Sequence, residues 1–391
     1  MSDVVIAAAI RTPLGAFQGS LAAASAPQLG AAVTKAAIES AGVAGSDVEE
    51  VIFGCVLQAD LGQAPARQAA LAGGVPLGVP ATTINKMCGS GLKAVMLGAA
   101  QIRSGDAGIV LAGGLESMSN APYLLPKART GLRMGHAELR DHMLRDGLLS
   151  PFDGLHMGVF ADRTAKKHGF WRTEQDEFAA ESVRRAVTAV NGGAFADEIV
   201  PVVLKLRKGD VTVDRDEAPF ALDVARIPTL RPAFVKDGTV TPASSSSIAD
   251  GAAAVVLMNG SIAASRGITP LARIVGYVSH AGEPEWFAAA LVDATRKLLS
   301  HVGWHASDVD LFEINEAFAI VPMVAMRDMG IEHARLNVNG GACALGHPIG
   351  ATGARILTTL IHALRKRGGK RGVAALCLGG GEAVAVAIEI I

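Results

Sequence analysis

Four short stretches of the chain combine reactive side chains with glycine turns. In "NKMCGSGLKAV", residues 85–95, Cys88 stands where a polar lead-in runs into a helix. A helix start leaves amides unpaired and favours negative charge, so a thiol there is expected to ionise easily and act as a nucleophile. Gly89 and Gly91 are expected to leave room for a substrate beside the sulfur. The plain alternative is that Cys88 is a small buried hydrophobe, the common role of a free cysteine in an apolar protein. In "NVNGGACALGHPIGATGARIL", His347 sits in a glycine-rich turn before Pro348 and a helix, presented as a base or serving as an ordinary structural histidine. "EINEAFA" places Asn315 and Glu316 just past an apolar strand. "LCLGGGE" ends another strand at Cys377, before three glycines whose amides could face a developing oxyanion. Taken singly, each of these also reads as ordinary turn chemistry.

The elements that must carry these stretches alternate along the chain. "DVVIAAAI", "EEVIFGCVL" and "AGIVLAGG" are short apolar runs that predict strands, while "APQLGAAVTKAAIESAG" and "GLKAVMLGAAQIRSG" predict helices, the second capped by Gly105. The second half repeats the grammar with helical "ALVDATRKLLSHVG", extended "DVDLFEIN", helical "GARILTTLIHALRKRGG", and a hairpin in "GVAALCLGGGEAVAVAIEI". Such alternation predicts an α/β fold with helices covering buried sheets. "GIVLAGGLE" echoes "VAALCLGGGE", and "CGSGLKAVMLGAAQI" echoes "GHPIGATGARILTTLI", so the halves read as a duplication. Between them, residues 119–243 are irregular and richer in charge, Pro, His and Met, as an inserted lid, binding loop or oligomer contact would be. The expected division is 1–118 with 244–268 as a first half, 119–243 as the insertion, and 269–391 as a second half.

Bulk properties exclude several classes. A chain of 391 residues with net charge −1 and no long basic run gives nucleic acid or a membrane surface nothing to bind. Mean hydropathy is positive, yet no apolar run approaches the ~20 residues a spanning helix needs. The opening "MSDVVIAAAIRTPLG" lacks a basic leader region and reads as a first buried strand, so a soluble cytoplasmic protein is expected. Four unclustered cysteines argue against a disulfide framework, and without a CxxC pair a zinc site is not expected.

The four stretches "NKMCGSGLKAV", "NEAFA", "NVNGGACALGHPIGATGAR" and "CLGGGE", in this order and at this spacing, resemble the thiolase family. The resemblance runs over essentially the whole chain, through "VIAAAIRTPLGAFQGSL", "GGLESMSNAPY", "RKGDVTVDRDE" and "LRPAFVKDGTVT". Within the family it is most similar to the acetyl-CoA acetyltransferases. It implies a duplicated five-layer α-β-α-β-α fold with an inserted loop domain, in a homo-oligomer, dimer or tetramer, whose contact could use residues 124–140. It also implies ping-pong catalysis. His347 takes the proton of Cys88, whose thiolate accepts an acetyl group from acetyl-CoA and releases CoA. Cys377 deprotonates a second acetyl-CoA, and the carbanion attacks the acetyl-enzyme to give acetoacetyl-CoA.

By the same resemblance, His347 and a water on Asn315 hold the enolate oxygen, and the amides of Cys88 and Gly379 hold the tetrahedral intermediate. Leu148, His156, Met157, Ala233, Phe234, Ser246, Ala317 and Phe318 are implied as the CoA and pantetheine contacts. No metal or organic cofactor is implied, because CoA thioesters are the substrates. The chain departs from the family at "SSSSIADG" preceded by Pro242, at "WFAAALVD" with Phe287 toward the acyl end, at Glu382 in "GGGEA", and near "EAPFALDV", where a nucleotide-contacting arginine has no match. A broader-range degradative thiolase acting on other 3-ketoacyl-CoA substrates is the near alternative. A ketoacyl synthase is disfavoured by Cys377, and a non-catalytic acyl-CoA-binding scaffold by the intact stretches.

Overall fold

The computed structural model describes residues 3–391; the first two residues of the expected opening strand stretch lie outside them. The strands are β1 (Val4–Arg11), β2 (Glu50–Gly54), β3 (Ala81–Ile84), β4 (Ile109–Ser117), β5 (Ala249–Asn259), β6 (Ala272–Ala281), β7 (Leu311–Ile314), β8 (Arg371–Leu378) and β9 (Glu382–Ile390). The principal helices are α1 (Ala26–Ala41), α2 (Pro65–Ala72), α3 (Ser90–Ser104), α4 (Met157–His168), α5 (Arg172–Asn191), α6 (Phe287–Val302), α7 (Ile320–Met329) and α8 (Thr352–Arg367).

The strands follow one another in space as β7-β8-β9-β6-β1-β5-β4-β2-β3, and Gly15–Ala16 adds a short piece beside β5. This order is the duplication made visible. On one side of the centre, β2 and β4 are parallel while β4–β5 and β5–β1 are antiparallel. On the other, β7 and β8 are parallel while β8–β9 and β9–β6 are antiparallel. Within the sheet, the halves join where Val5 and Ile6 of β1 pair with Arg273 and Ala272 of β6.

Layering follows from which faces are apolar. Strands β4, β5 and β8 are buried on both faces and therefore read as continuous apolar runs rather than alternating ones. In β8, Val373, Ala375 and Cys377 join the core under α6 and α7, while Ala374, Leu376 and Leu378 join the core around α3 and α8. Helix α8 is buried on nearly every side, as a helix between two sheets must be. Each of Leu357, Leu360, Ile361 and Leu364 contributes about 1.5–3 kcal/mol by leaving water. α1 and α2 cover the outer face of the first half and α6 and α7 that of the second, which completes the five-layer α-β-α-β-α arrangement. Helix ends carry ordinary signals: Ser25 and Gln28 form a capping box on α1, and Gly105 ends α3 in the left-handed region with φ 86°.

Between Ser117 and Ala249 the chain leaves the sheet and forms α4, α5 and two small hairpins, Tyr123–Leu124 with Arg140–Asp141 and Val202–Leu206 with Gly209–Val213. Arg11 ties this excursion to β1. Its buried guanidinium meets Glu198 at 2.6 Å and Asp216 at 2.7 and 2.9 Å. Burial opposes the charge, and Asp216 with Glu198 more than offset it, so the arginine pKa is raised. Among the described residues no helix is long and apolar enough to cross a membrane.

Candidate active site

Cys88 lies in a tight turn between β3 and α3. Met87 before it has φ 48°, a left-handed conformation that costs a non-glycine residue about 1–3 kcal/mol. Neighbouring polar groups hold the turn: Asn85 Oδ1 accepts from the Met87 amide at 2.9 Å, and Ser90 Oγ accepts from the Lys86 amide at 2.8 Å while donating to the Met87 carbonyl at 2.7 Å. The glycines of this stretch do something other than admit substrate. A Cβ on Gly89 would stand 2.6 Å from Leu378 Cδ2, and one on Gly91 would stand 2.8 Å from the Ala354 nitrogen. They let the Cys88 turn press against β8, which carries Cys377, and against α8, which follows the turn of His347.

The amides of Gly379 and of Cys88 itself both address the Cys88 sulfur, yet burial pushes the thiol up to about 11. The sequence expectation of an easily ionised thiol is therefore overturned. The helix begins at Ser90 with Gly89 as its cap, past the sulfur. Apolar neighbours such as Met118 and Ile349 desolvate the sulfur by more than two amides compensate. At neutral pH Cys88 is a thiol that needs a base.

His347 shares the cavity with Cys88, Cys377 and Gly379. Burial, reinforced by the charge of buried Arg355, pushes its pKa down to about 3, so the resting ring is neutral with a lone pair on one nitrogen. Its Nδ1 is 2.6 Å from Thr352 Oγ1, and its Nε2 has no hydrogen-bond partner among the described residues. Two anchors hold the turn that carries it. The His347 amide donates to the Ser247 carbonyl at 3.0 Å. Glu116 accepts from the amides of Gly350 at 2.8 Å, Val56 at 3.0 Å and Leu57 at 3.1 Å. Burial pushes Glu116 up to about 7 against the pull of those amides.

Cys377 closes β8. Burial, and then the neighbouring Cys88, push its thiol well above the usual range, while its own amide pulls slightly the other way. The two sulfurs, far apart in sequence, thus line one cavity. Asn315 does not line the cavity. It is buried, 1% exposed, with its backbone amide donating to the Ala375 carbonyl at 3.1 Å. Neither its Nδ2 nor its Oδ1 has a partner among the described residues. A buried side-chain amide in this state has bonding capacity free for a water or another oxygen. Glu316 beside it is structural, accepting from Ser182 at 2.7 Å, Asn337 at 2.8 Å and the Cys343 amide at 3.1 Å.

The cavity measures about 390 Å³ and is mostly apolar. Leu148, His156, Met157, Ala233, Phe234, Ser246, Ala317 and Phe318 all line it. His156 stacks on Phe234 with centroids 4.6 Å apart, and its Nδ1 accepts from the Gly158 amide at 3.0 Å. Burial lowers its pKa, so the ring is neutral with its remaining proton on Nε2, a ready donor. Met118, Ile248 and Ile349 also line the cavity and were not singled out in the sequence, because no periodicity marks an isolated apolar loop residue as a wall. Ser247 was missed as well. Its buried hydroxyl has no partner among the described residues, which the serine run itself could have suggested.

Three departures now have places. Pro242 is on the cavity wall. Phe287, 2% exposed, packs edge-on to Phe318 with centroids 6.2 Å apart and forms part of the lining. Glu382 pairs with Lys86 and so ties the glycine turn after Cys377 to the turn that carries Cys88.

Two duplicated α/β halves, with a pair of cysteines, a histidine and a glycine amide gathered in a cavity at their junction, define the thiolase class of protein. Residues 4–261 match the thiolase N-terminal domain and residues 268–390 the thiolase C-terminal domain, and the chain belongs to the thiolase family. It is 52% identical over 390 residues to an acetyl-CoA acetyltransferase of Pseudomonas aeruginosa, covering 99% of each chain. It is 51% identical over 389 residues to one of Chromobacterium violaceum, again covering 99% of each. Against that of Escherichia coli it is 50% identical over 391 residues, covering 100% of this chain and 99% of the relative.

Proposed function

We propose that this chain is an acetyl-CoA C-acetyltransferase, condensing two acetyl-CoA molecules to acetoacetyl-CoA and CoA and running the reverse thiolysis. The observation that carries this reading is the Cys88 sulfur, addressed by the Gly379 and Cys88 amides and sharing one cavity with His347 and Cys377. Neutral His347 takes the Cys88 proton, and the thiolate attacks the thioester carbonyl. The two amides hold the resulting oxyanion, each such donor being worth about 2.7–4 kcal/mol. CoA leaves with the proton, and an acetyl group remains on Cys88.

For the second step, neutral His347, in the same cavity, takes the Cys377 proton, and the resulting thiolate is the base at the methyl carbon of the incoming acetyl-CoA. The carbanion attacks the acetyl group, and the displaced Cys88 sulfur takes its proton back from His347. A thioester α-carbon is a very weak acid, so its enolate oxygen needs donors in place. A water on the unpartnered Asn315 side chain and the Nε2–H that His347 gains from Cys377 supply them. The pantetheine arm lies along Met157, Phe234 and Phe318, with His156 and the serines as polar contacts. No metal or organic cofactor enters this scheme. Exposed Leu125, Leu132, Met134 and Leu139 support a homo-oligomer built through the 124–140 segment.

Incubation with acetyl-CoA followed by peptide mass analysis tests the reading. An acetyl adduct on Cys88 that free CoA removes is expected. A chain that binds acetyl-CoA without acquiring it would be a scaffold, and the proposal would fall.

A further inference from the structure

His347 can serve as base only through a nitrogen that carries no proton, and the structure determines which nitrogen that is. Thr352, at the first position of α8 and fully buried, places Oγ1 2.6 Å from His347 Nδ1 and 2.8 Å from the Pro348 carbonyl oxygen. A hydroxyl has a single proton to give. The carbonyl can only accept, so the proton belongs between Oγ1 and the Pro348 oxygen. Turned toward the ring instead, it would leave two oxygen lone pairs facing each other across 2.8 Å in a site closed to water. Thr352 therefore accepts from His347, and Nδ1 is the protonated nitrogen. Nε2, which has no partner among the described residues, keeps a bare lone pair.

We propose that Thr352 is a positioning residue that fixes His347 as the Nδ1–H tautomer, so that Nε2 is the atom that exchanges protons with the substrate sulfur and with Cys88. In acylation the Sγ–H proton passes to Nε2 while the sulfur pair forms the new bond to the thioester carbon. As the carbon–sulfur bond to CoA breaks, the CoA sulfur takes that proton back from Nε2. Nδ1–H stays on Thr352 throughout, so the charge that forms on the ring is shared with the hydroxyl and, through it, with the Pro348 carbonyl. The hydrogen bond to the Pro348 carbonyl, four residues back, holds the oxygen in this direction. The proposal rests on the reading of His347 as the base of Cys88.

Thr352→Val removes the hydroxyl and keeps the shape; Thr352→Ser keeps the hydroxyl. For Thr352→Val, kcat for acetoacetyl-CoA thiolysis should fall about ten- to a hundredfold with KM within about twofold, since a ring free to choose its tautomer loses part of its function as base. Alkylation of Cys88 by iodoacetamide at neutral pH should slow by a similar factor, and Thr352→Ser should recover most of both. NMR of the unmodified protein labelled at its histidine ring nitrogens reads the tautomer directly and does not depend on how any variant folds. A proton on Nε2 of His347 there would overturn the proposal, as would a well-folded Thr352→Val with unchanged kcat. His347→Ala separates the two levels of the argument. If it abolishes alkylation while Thr352→Val does not affect it, the tautomer inference alone fails; if neither matters, His347 is not the base.

Discussion

Replacing Asn315 by alanine separates catalysis from stability in a way the surroundings make calculable. Its side chain is 1% exposed, and neither amide atom has a partner among the described residues. The substitution breaks no protein hydrogen bond and removes only the anchor of the proposed water. The melting temperature should therefore change little, within about 1–2 kcal/mol of stability. The reaction, in contrast, loses the anchor for one oxyanion donor, worth about 2.7–4 kcal/mol or a factor of roughly 10²–10³. That loss falls on the enolate alone, because the tetrahedral intermediate at Cys88 uses the Gly379 and Cys88 amides. Acetyl-CoA should still acetylate Cys88 at close to the parent rate, measured by rapid quench and mass analysis. Condensation and the first half of acetoacetyl-CoA thiolysis should be slow. A variant that cannot be acetylated, or whose activity falls only in step with a lower melting temperature, would refute this division of labour.

Cys88, raised to about 11, and His347, lowered to about 3, rest as a neutral pair. Iodoacetamide alkylation of Cys88 should therefore climb steadily from neutral to alkaline pH; a plateau near neutrality would mean a preformed thiolate–imidazolium pair instead. Glu116 has a folded pKa of about 7 against an ordinary 4.5, so the native state holds its proton more tightly than the unfolded chain. Its contribution is complete below about pH 4.5 and is lost as pH rises through about 7, on the order of 3 kcal/mol. Urea melts across this range should show a shallower decline for Glu116→Gln than for the parent, and equal slopes would contradict the assignment. Phe287→Ala should lower stability by about 3–5 kcal/mol and raise the kcat/KM ratio for six-carbon over four-carbon 3-ketoacyl-CoA by at least about tenfold. An unchanged ratio would mean that the Phe287 ring does not limit the acyl group.

Much of this architecture was legible because it is written between near neighbours in the chain. Apolar runs of strand length, the helix ending at Gly105, and the hairpin around the glycine triplet all follow from local periodicity and turn chemistry, and each occurs where it was read. The echo between the halves was visible for the same reason, since duplicated elements keep their local patterns, and it reappears as the mirrored strand order about β1 and β6.

Where local reasoning failed, the physical cause was long-range packing. The step from residue 88 to a helix start suggested an acidic thiol, but the acidity of Cys88 is set by Met118 and Ile349 from other parts of the chain, and burial outweighs the amides. Gly89 and Gly91 suggested space for a ligand, yet their missing side chains admit Leu378 and Ala354. Glu382 had no account until Lys86 stood beside it. The residue types capable of chemistry, and the elements that present them, were therefore determined by the sequence alone. Only the tertiary structure decided which of them share a cavity, which proton each one holds and which amide is left without a partner, because desolvation and hydrogen-bond satisfaction depend on neighbours that no linear spacing contains.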